Sequence, residues 1–107
     1  MFLCSLSDLE DDKSKGFNLG NGQQVFAVQK EGKVHVYENQ CPHLGIPLEM
    51  MPDQFLDLDN SFIQCSTHGA LFEIDNGLCI AGPCSGASLI SHEIEIINGE
   101  VHLNIKR

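Results

Sequence analysis

The most constraining feature of the chain is a pair of short segments that each combine one cysteine with one histidine. The first reads Cys41-Pro42-His43-Leu44-Gly45, and the second reads Cys65-Ser66-Thr67-His68-Gly69. Each segment follows a predicted strand, so a rigid sheet can hold each loop in place. Two thiolates and two imidazoles suit zinc or an iron–sulfur cluster, and they suit calcium or magnesium poorly. We therefore expect these two cysteines and two histidines to bind metal.

Zinc is the main alternative on ligand type alone, because two cysteines and two histidines form a common structural zinc site. In such sites two cysteines usually precede two histidines along the chain. Here each loop is mixed, which lets the ligands divide by type between two metal ions. The third reading, that the four side chains bind nothing, requires two such loops to occur together by chance. The spacing favours an iron–sulfur cluster over both.

The rest of the chain predicts an all-β fold. Residues 33–37 alternate between polar and apolar side chains, as a half-buried strand does. Asn98-Gly99 separates two apolar alternating segments and is the strongest hairpin signal in the sequence. Asp75-Asn76-Gly77 predicts a further tight turn, and residues 6–12 allow one helical turn at most. We expect about nine or ten short antiparallel strands in a sandwich or small barrel.

The two mixed segments resemble the Rieske iron–sulfur signature in residue type and in order. The resemblance implies one [2Fe–2S] cluster, with Cys41 and Cys65 on one iron and with His43 and His68 on the outer iron. The 21 residues between His43 and Cys65 are more than this family usually has. The surplus fits an extended hairpin around residues 51–61, away from the ligands.

The resemblance extends over nearly the whole chain. It implies a single Rieske domain over residues 1–107, with a cluster-binding subdomain that carries both ligand loops and covers approximately residues 39–85. Gly45 and Gly69 are expected to allow tight turns beside the cluster. Gly82-Pro83 resembles the proline-containing loop that shields the cluster from water in this family.

Four positions distinguish this chain from the high-potential Rieske proteins of respiratory complexes. Those proteins have a disulfide where this chain has Ile46 and Thr67, and hydroxyl groups where it has Ala70 and Phe72. Hydrogen bonds from such hydroxyls to the cluster sulfurs raise the reduction potential. The resemblance therefore implies a ferredoxin with a potential near the low end of the Rieske range, about −150 mV.

The formal charge of −9, from 15 acidic and 6 basic side chains, argues against nucleic acid as a partner. It favours a basic protein surface, although excess acid can also serve only solubility. The resemblance implies a flavin-dependent reductase as donor and an oxygenase as acceptor. The alternatives are a redox subunit held in a larger enzyme, such as the small subunit of nitrite reductase, or a zinc-binding interaction module.

No catalytic motif is found, so we expect an electron-transfer protein that is not itself an enzyme. No apolar run is long enough for a membrane-spanning helix and no signal peptide is visible, so we expect a cytoplasmic protein without membrane contact. No long apolar stretch calls for an obligate interface, so we expect a monomer. The acidic cluster Asp53, Asp57 and Asp59 is a candidate docking site beside the first ligand loop.

The remaining cysteines and histidines are expected to be structural. Cys79 and Cys84 could pair in a disulfide, but buried thiols are the favoured reading in a reducing compartment. Cys4 is expected on a strand. His35, His92 and His102 are expected to be ordinary strand residues, because none has a second ligand at a fixed spacing.

Overall fold

The computed structural model describes residues 2–10, 13–19, 23–40, 55–57, 61–65, 69–82 and 86–104. Within these residues ten strands form, together with one 3₁₀ turn over Leu6–Asp8. The strands are β1 (Phe2–Ser5), β2 (Lys13–Asn18), β3 (Gln24–Lys30), β4 (Lys33–Glu38), β5 (Phe62–Gln64), β6 (Leu71–Glu73), β7 (Cys79–Ala81), β8 (Ser91–His92), β9 (Ile94–Ile97) and β10 (Glu100–Leu103). The prediction of an all-β fold is therefore confirmed.

The strands form three antiparallel sheets. The central sheet has the order β2-β3-β4-β8, and the terminal sheet has the order β1-β10-β9. The third sheet, β5-β6-β7, is called the ligand-loop sheet here because Cys65 directly follows β5. No helix in the described ranges is long and apolar enough to cross a membrane.

β3 of the central sheet is buried on both faces, so one core lies on each side of this sheet. Along β3, Val25 and Ala27 belong to one core, whereas Phe26 and Val28 belong to the other, because successive side chains of a strand point to opposite faces. One core lies towards the terminal sheet and contains Cys4, Leu9, Val25, Ala27, Val36, Val101 and Leu103. The other lies towards the ligand-loop sheet and contains Phe26, Val28, Tyr37, Phe55, Ile63, Cys65, Ala70, Phe72, Ile74, Cys79 and Leu89.

Two hairpins of the central and terminal sheets have two-residue turns in the left-handed region. Asn98 and Gly99, with φ of 51° and 75°, join β9 to β10, as the sequence predicts. Glu31 and Gly32, with φ of 53° and 78°, join β3 to β4. Positive φ at both turn residues matches the right-handed twist of the flanking strands. These turns fix the register of both hairpins.

A stacked pair of phenylalanines joins the central sheet to the segment before β5. The rings of Phe26 and Phe55 lie 4.3 Å apart between centroids and within 5° of parallel. Both residues are fully buried, and burial of an aromatic ring of this size contributes roughly 2 kcal/mol to folding. Leu56 forms an isolated bridge with Ile63, so this segment pairs with β5 at that position.

Candidate metal centre

Among the four predicted ligands, the structure describes Cys65. Cys41, His43 and His68 lie outside the described residues, as do Ile46, Thr67, Gly45, Pro83, Cys84, Asp53 and Asp59. Cys65 directly follows β5 and is fully buried, with no exposed surface. The thiol therefore sits at the end of a rigid strand, in the core that lies towards the ligand-loop sheet.

The loop that begins at Cys65 closes on itself through backbone hydrogen bonds. The N–H of Cys65 donates to the carbonyl oxygen of Ala70 at 2.9 Å, and the N–H of Gly69 donates to the carbonyl oxygen of Cys65 at 2.8 Å. Gly69 has φ of +68°, which a residue with a side chain rarely adopts and which confirms the expected tight turn. The residues that flank positions 66–68 are thus fixed to each other.

The approach to the first ligand loop is held by hydrogen bonds to neighbouring segments. At the end of β4, the N–H of Glu38 donates to the carbonyl oxygen of Ile90 at 2.8 Å. The N–H of Asn39 then donates to the carbonyl oxygen of Gln24 at 2.9 Å. The N–H of Gln40 then donates to the carbonyl oxygen of Glu38 at 2.9 Å. The backbone is therefore positioned up to the residue that precedes Cys41.

The side chain of Glu38 has its own partners at this point. Gln23 Nε2 donates to Glu38 Oε1 at 3.1 Å, and His92 Nε2 lies 3.4 Å from the same oxygen. Gln23 directly precedes β3, and His92 is in β8. The two contacts therefore connect the end of β4, which leads into the first ligand loop, to the strands on both sides of it. The cluster of three polar side chains stabilises that end of the central sheet.

Ala70, the residue directly after the second ligand loop, is in close contact with Gly82, which follows β7. A Cβ atom at Gly82 would lie 2.8 Å from the Cα atom of Ala70, so only glycine allows the two backbones to approach this closely. Gly82 also has φ of +100°. Because Ala70 follows the loop that starts at Cys65, this contact places β7 and Gly82 beside that loop.

The remaining cysteines have structural environments. Cys79 is buried in β7, and its thiol donates to the carbonyl oxygen of Ala81 at 3.2 Å. Cys4 is buried in β1, as expected of a strand residue, and its burial raises the pKa of the thiol. Whether Cys79 pairs with Cys84 stays a prediction, since Cys84 is outside the described residues.

The three predicted strand histidines are confirmed as strand residues in β4, β8 and β10. His35 lies 3.8 Å from Asp75, from Nε2 to Oδ1, and its partial burial lowers the pKa of the imidazole. His102 Nε2 lies 3.2 Å from Glu100 Oε1. Within the described ranges, no group of three or more histidines, cysteines or carboxylates could hold a metal ion. These three histidines therefore belong to no such group.

A comparison with protein families identifies the chain. The family model of the Rieske [2Fe-2S] domain matches residues 1–98. The chain belongs to the Rieske [2Fe–2S] family. As a Rieske domain it binds a [2Fe–2S] cluster.

Among characterised proteins, this Rieske chain is similar to the ferredoxin component of the alkene monooxygenase system of Xanthobacter autotrophicus (strain Py2). The two are 31% identical over 75 residues, which cover 70% of this chain. The matching part spans 57% of the length of that relative.

Solved structures share the fold of this Rieske domain. The ferredoxin of carbazole 1,9a-dioxygenase from Nocardioides aromaticivorans IC177 has a TM-score of 0.79 at 21% identity, with 99% of this chain and 97% of that chain covered. A Sphingomonas yanoikuyae B1 ferredoxin has a TM-score of 0.80 at 23% identity, with 99% and 98% covered. A complex of reduced oxygenase and oxidized ferredoxin in carbazole 1,9a-dioxygenase contains a chain with a TM-score of 0.80 at 23% identity, with 97% and 100% covered. These likenesses establish the fold.

The described residues fit a Rieske cluster. Cys65 offers a buried sulfur at the end of a strand, in a loop whose backbone is closed by its own hydrogen bonds. Thiolate and imidazole are the ligands that this cluster requires. Ala70 and Phe72, which follow the loop, are both buried and carry no hydroxyl group. Neither side chain can therefore donate a hydrogen bond to the cluster.

Sequence reasoning missed two features that position this Rieske site. The contact between Gly82 and Ala70 depends on two segments that are distant in sequence, and the glycine that precedes Pro83 was its only signal. Asp57 was grouped with the candidate docking residues, yet its Oδ1 accepts hydrogen bonds from the N–H groups of Ser61 and Phe62, at 2.9 and 3.1 Å. This carboxylate stabilises the entry into β5.

Proposed function

We propose that the chain is a ferredoxin, which accepts one electron from a flavin-dependent reductase and passes it to an oxygenase. The observation that carries the proposal is the 31% identity to a ferredoxin component of an alkene monooxygenase system, over 70% of the chain. A ferredoxin of the same fold occurs in a complex with the oxygenase of carbazole 1,9a-dioxygenase, which supports an oxygenase as the acceptor.

The proposal assigns the cluster ligands by residue. Cys41 and Cys65 bind one iron, and His43 and His68 bind the other, in accordance with the Rieske pattern of two cysteines and two histidines. The burial of Cys65 and the closure of its loop support this assignment for the second ligand segment. The cluster supplies reversible one-electron chemistry, and the protein holds it and sets its potential.

The surroundings of the site support a carrier of low potential. Hydrogen bonds to the cluster sulfurs stabilise the more negative reduced state, and they raise the reduction potential. Ala70 and Phe72 are buried beside the second ligand loop and cannot donate such bonds. We therefore expect a potential near the low end of the Rieske range, about −150 mV.

The ligand assignment is tested with two cysteine variants that differ in expected outcome. Cys65→Ser removes a proposed ligand, so the purified protein should lose the visible absorption of the cluster and most of its iron. Cys79→Ser is the matched control, because Cys79 is also buried and belongs to the same core as Cys65. A full complement of iron and unchanged absorption in Cys65→Ser would contradict the assignment.

The carrier function is tested by redox titration and by transfer to an acceptor. The holoprotein should take up one electron per chain reversibly at low potential. After reduction with dithionite it should reduce the oxidised oxygenase component of an alkene monooxygenase or of carbazole 1,9a-dioxygenase, with a rate proportional to oxygenase concentration. A protein that takes up no electron would contradict the carrier, and transfer to neither oxygenase would contradict this class of acceptor.

A further inference from the structure

A bulge in the ligand-loop sheet exposes one apolar side chain. Leu71 of β6 pairs with Ala81, but the next residue, Phe72, pairs with Cys79. Ile80 is therefore the extra residue of β7 and has no partner across the strand pair. It is 43% exposed, although Cys79 beside it is buried. Bulges of this kind turn a side chain out of a regular strand, often next to functional sites.

The bulge lies beside the second ligand loop. Ala81 pairs with Leu71, and Gly82 is in contact with Ala70. Both partners follow directly after the loop that begins at Cys65. Leu71 and Ala81 are only half-buried, and they face away from the core because Phe72 faces into it. We call Leu71, Ile80 and Ala81 the apolar tip patch.

The charges are distributed unevenly along the chain. The 72 residues from Val34 to Ile105 contain ten of the fifteen acidic side chains and not one lysine or arginine. The described lysines lie in β2 and at the turn between β3 and β4: Lys13, Lys15, Lys30 and Lys33. Lys33 begins β4, whereas the first ligand loop follows the opposite end of that strand.

This distribution identifies the chemistry of a suitable partner. A surface with an apolar centre and a polar, charged rim is typical of protein interfaces. Here the described residues of the ligand-loop sheet include the apolar patch and Glu73 but no cation. Lys30 lines a pocket with Glu73 and Phe62, at the end of this sheet remote from Cys65. A negative surface attracts a positive one and speeds the encounter of short-lived partners. A second copy of this chain would meet the same acidic charge and be repelled.

We propose that the apolar tip patch, with Ile80 at its centre, is the docking surface for a redox partner that has an apolar patch surrounded by lysine and arginine. This inference rests on the proposed function as an electron carrier. Docking at this patch would cover the exposed isoleucine and would bring the partner next to the second ligand loop. The partner would thereby remove water from the surface that adjoins the cluster loop.

The test compares Ile80→Gln with Ile97→Gln in the holoprotein. Ile97 is the matched control: it is 44% exposed, but it lies in β9 of the terminal sheet, which carries no ligand loop. Both substitutions replace an exposed apolar side chain by a neutral polar one. A third variant, Ile80→Leu, retains an apolar side chain and should behave as the wild type.

The partner probe is cytochrome c, a small basic haem protein with an exposed haem edge. Binding of the oxidised holoprotein to ferric cytochrome c is followed by NMR titration at low ionic strength. We expect the Kd to rise about fivefold in Ile80→Gln, the effect of losing about half of a buried isoleucine contact. Ile97→Gln and Ile80→Leu should leave the Kd unchanged, and added salt should weaken binding in all four proteins.

A kinetic measurement adds a second readout. After reduction with dithionite, one electron passes from the reduced cluster to the haem, so that ferric haem becomes ferrous and the cluster returns to its oxidised state. The second-order rate constant should fall about fivefold in Ile80→Gln alone, in parallel with the affinity. Reduction of hexaammineruthenium, a complex too small to need a docking surface, should be equally fast in all variants.

The outcomes separate this inference from the proposed function. Equal affinity of Ile80→Gln and Ile97→Gln for cytochrome c, with intact clusters, would overturn the docking surface while leaving the carrier function in place. Stronger binding at higher salt would overturn the basic character of the partner. A wild-type holoprotein that reduces neither cytochrome c nor hexaammineruthenium would instead contradict the carrier function itself.

Discussion

The hydroxyl group of Tyr37 donates a hydrogen bond of 2.5 Å to the backbone carbonyl oxygen of Ile74. Tyr37 belongs to β4 of the central sheet, and Ile74 follows β6 of the ligand-loop sheet. A Cβ atom at Gly77 would lie 2.9 Å from Cε1 of the tyrosine ring, so the turn after β6 fits closely around that ring. The pair thus ties the ligand-loop sheet to the central sheet.

Removal of this hydroxyl should destabilise the protein. In Tyr37→Phe the carbonyl oxygen of Ile74 loses its buried donor, which costs about 1–2 kcal/mol. For a chain of this length the Tm should fall by roughly 5–10 °C. The measurement is thermal unfolding of the holoprotein by circular dichroism at a fixed scan rate. An unchanged Tm would mean that the hydrogen bond contributes nothing to stability.

The same tyrosine should ionise at unusually high pH. Burial, followed by the negative charge of Asp75, raises the pKa of Tyr37 to about 12 from 10.0. Tyr37 is the only tyrosine, so ultraviolet difference absorption reports this group alone. Because the folded state holds the proton more tightly, the associated stability is present below pH 10 and is lost as the pH rises towards 12. A titration midpoint near 10 would contradict the burial of the hydroxyl.

The architecture could be predicted from local patterns, whereas the contacts between sheets could not. The turn at Asn98-Gly99 follows from residue type, since both residues readily adopt positive φ. By contrast, Tyr37 and Ile74 are 37 residues apart, and no periodicity indicates which buried hydroxyl meets which carbonyl. The register shift between Phe2 and Cys4, where β1 pairs with β10, likewise depends on a distant segment and leaves no local pattern in the sequence.

For the candidate site too, the residue types and their spacing could be predicted from the sequence, whereas the packing around them could not. Cysteine and histidine spacing predicted the ligand residues without any knowledge of packing. The positive φ of Gly69 agrees with the tight turn expected at this glycine. The exposure of Ile80 was not expected, since the bulge depends on how β6 and β7 pair, and the alternation of residue types does not reveal it.

The contact between Gly82 and Ala70 should be sensitive to a single methyl group. Gly82→Ala would bring a Cβ atom to 2.8 Å from Ala70, in addition to the strain of φ +100°. The matched control is Gly86→Ala, because Gly86 has φ +91° but no atom within 4 Å of the added methyl group. We expect a loss of about 1 kcal/mol in the control and about 2–4 kcal/mol in Gly82→Ala.

The readouts for this pair are the Tm and the rate at which the visible absorption of the cluster is lost on warming. Gly82→Ala should lower the Tm further and lose the absorption faster than Gly86→Ala. Equal effects of the two substitutions would mean that backbone strain alone matters, and that the close approach to Ala70 has no role.

An added hydroxyl group beside the second ligand loop should raise the reduction potential. By the Rieske resemblance, Phe72→Tyr places a donor where high-potential members hydrogen-bond a cluster sulfur. One such bond would raise the one-electron potential by roughly 40 mV. Phe62→Tyr is the control, because Phe62 is at the end of β5 remote from Cys65. A potential that rises equally in both variants, or in neither, would contradict the role assigned to position 72.

The central claim is that the chain binds a [2Fe–2S] cluster through two cysteines and two histidines. The most direct test is pulsed EPR of the dithionite-reduced protein, produced with ¹⁵N-labelled histidine. We expect a rhombic signal, with an average g value below that of all-cysteine clusters, and couplings to two histidine nitrogens. A spectrum without histidine coupling, or a colourless zinc-containing protein without an EPR signal, would contradict the claim.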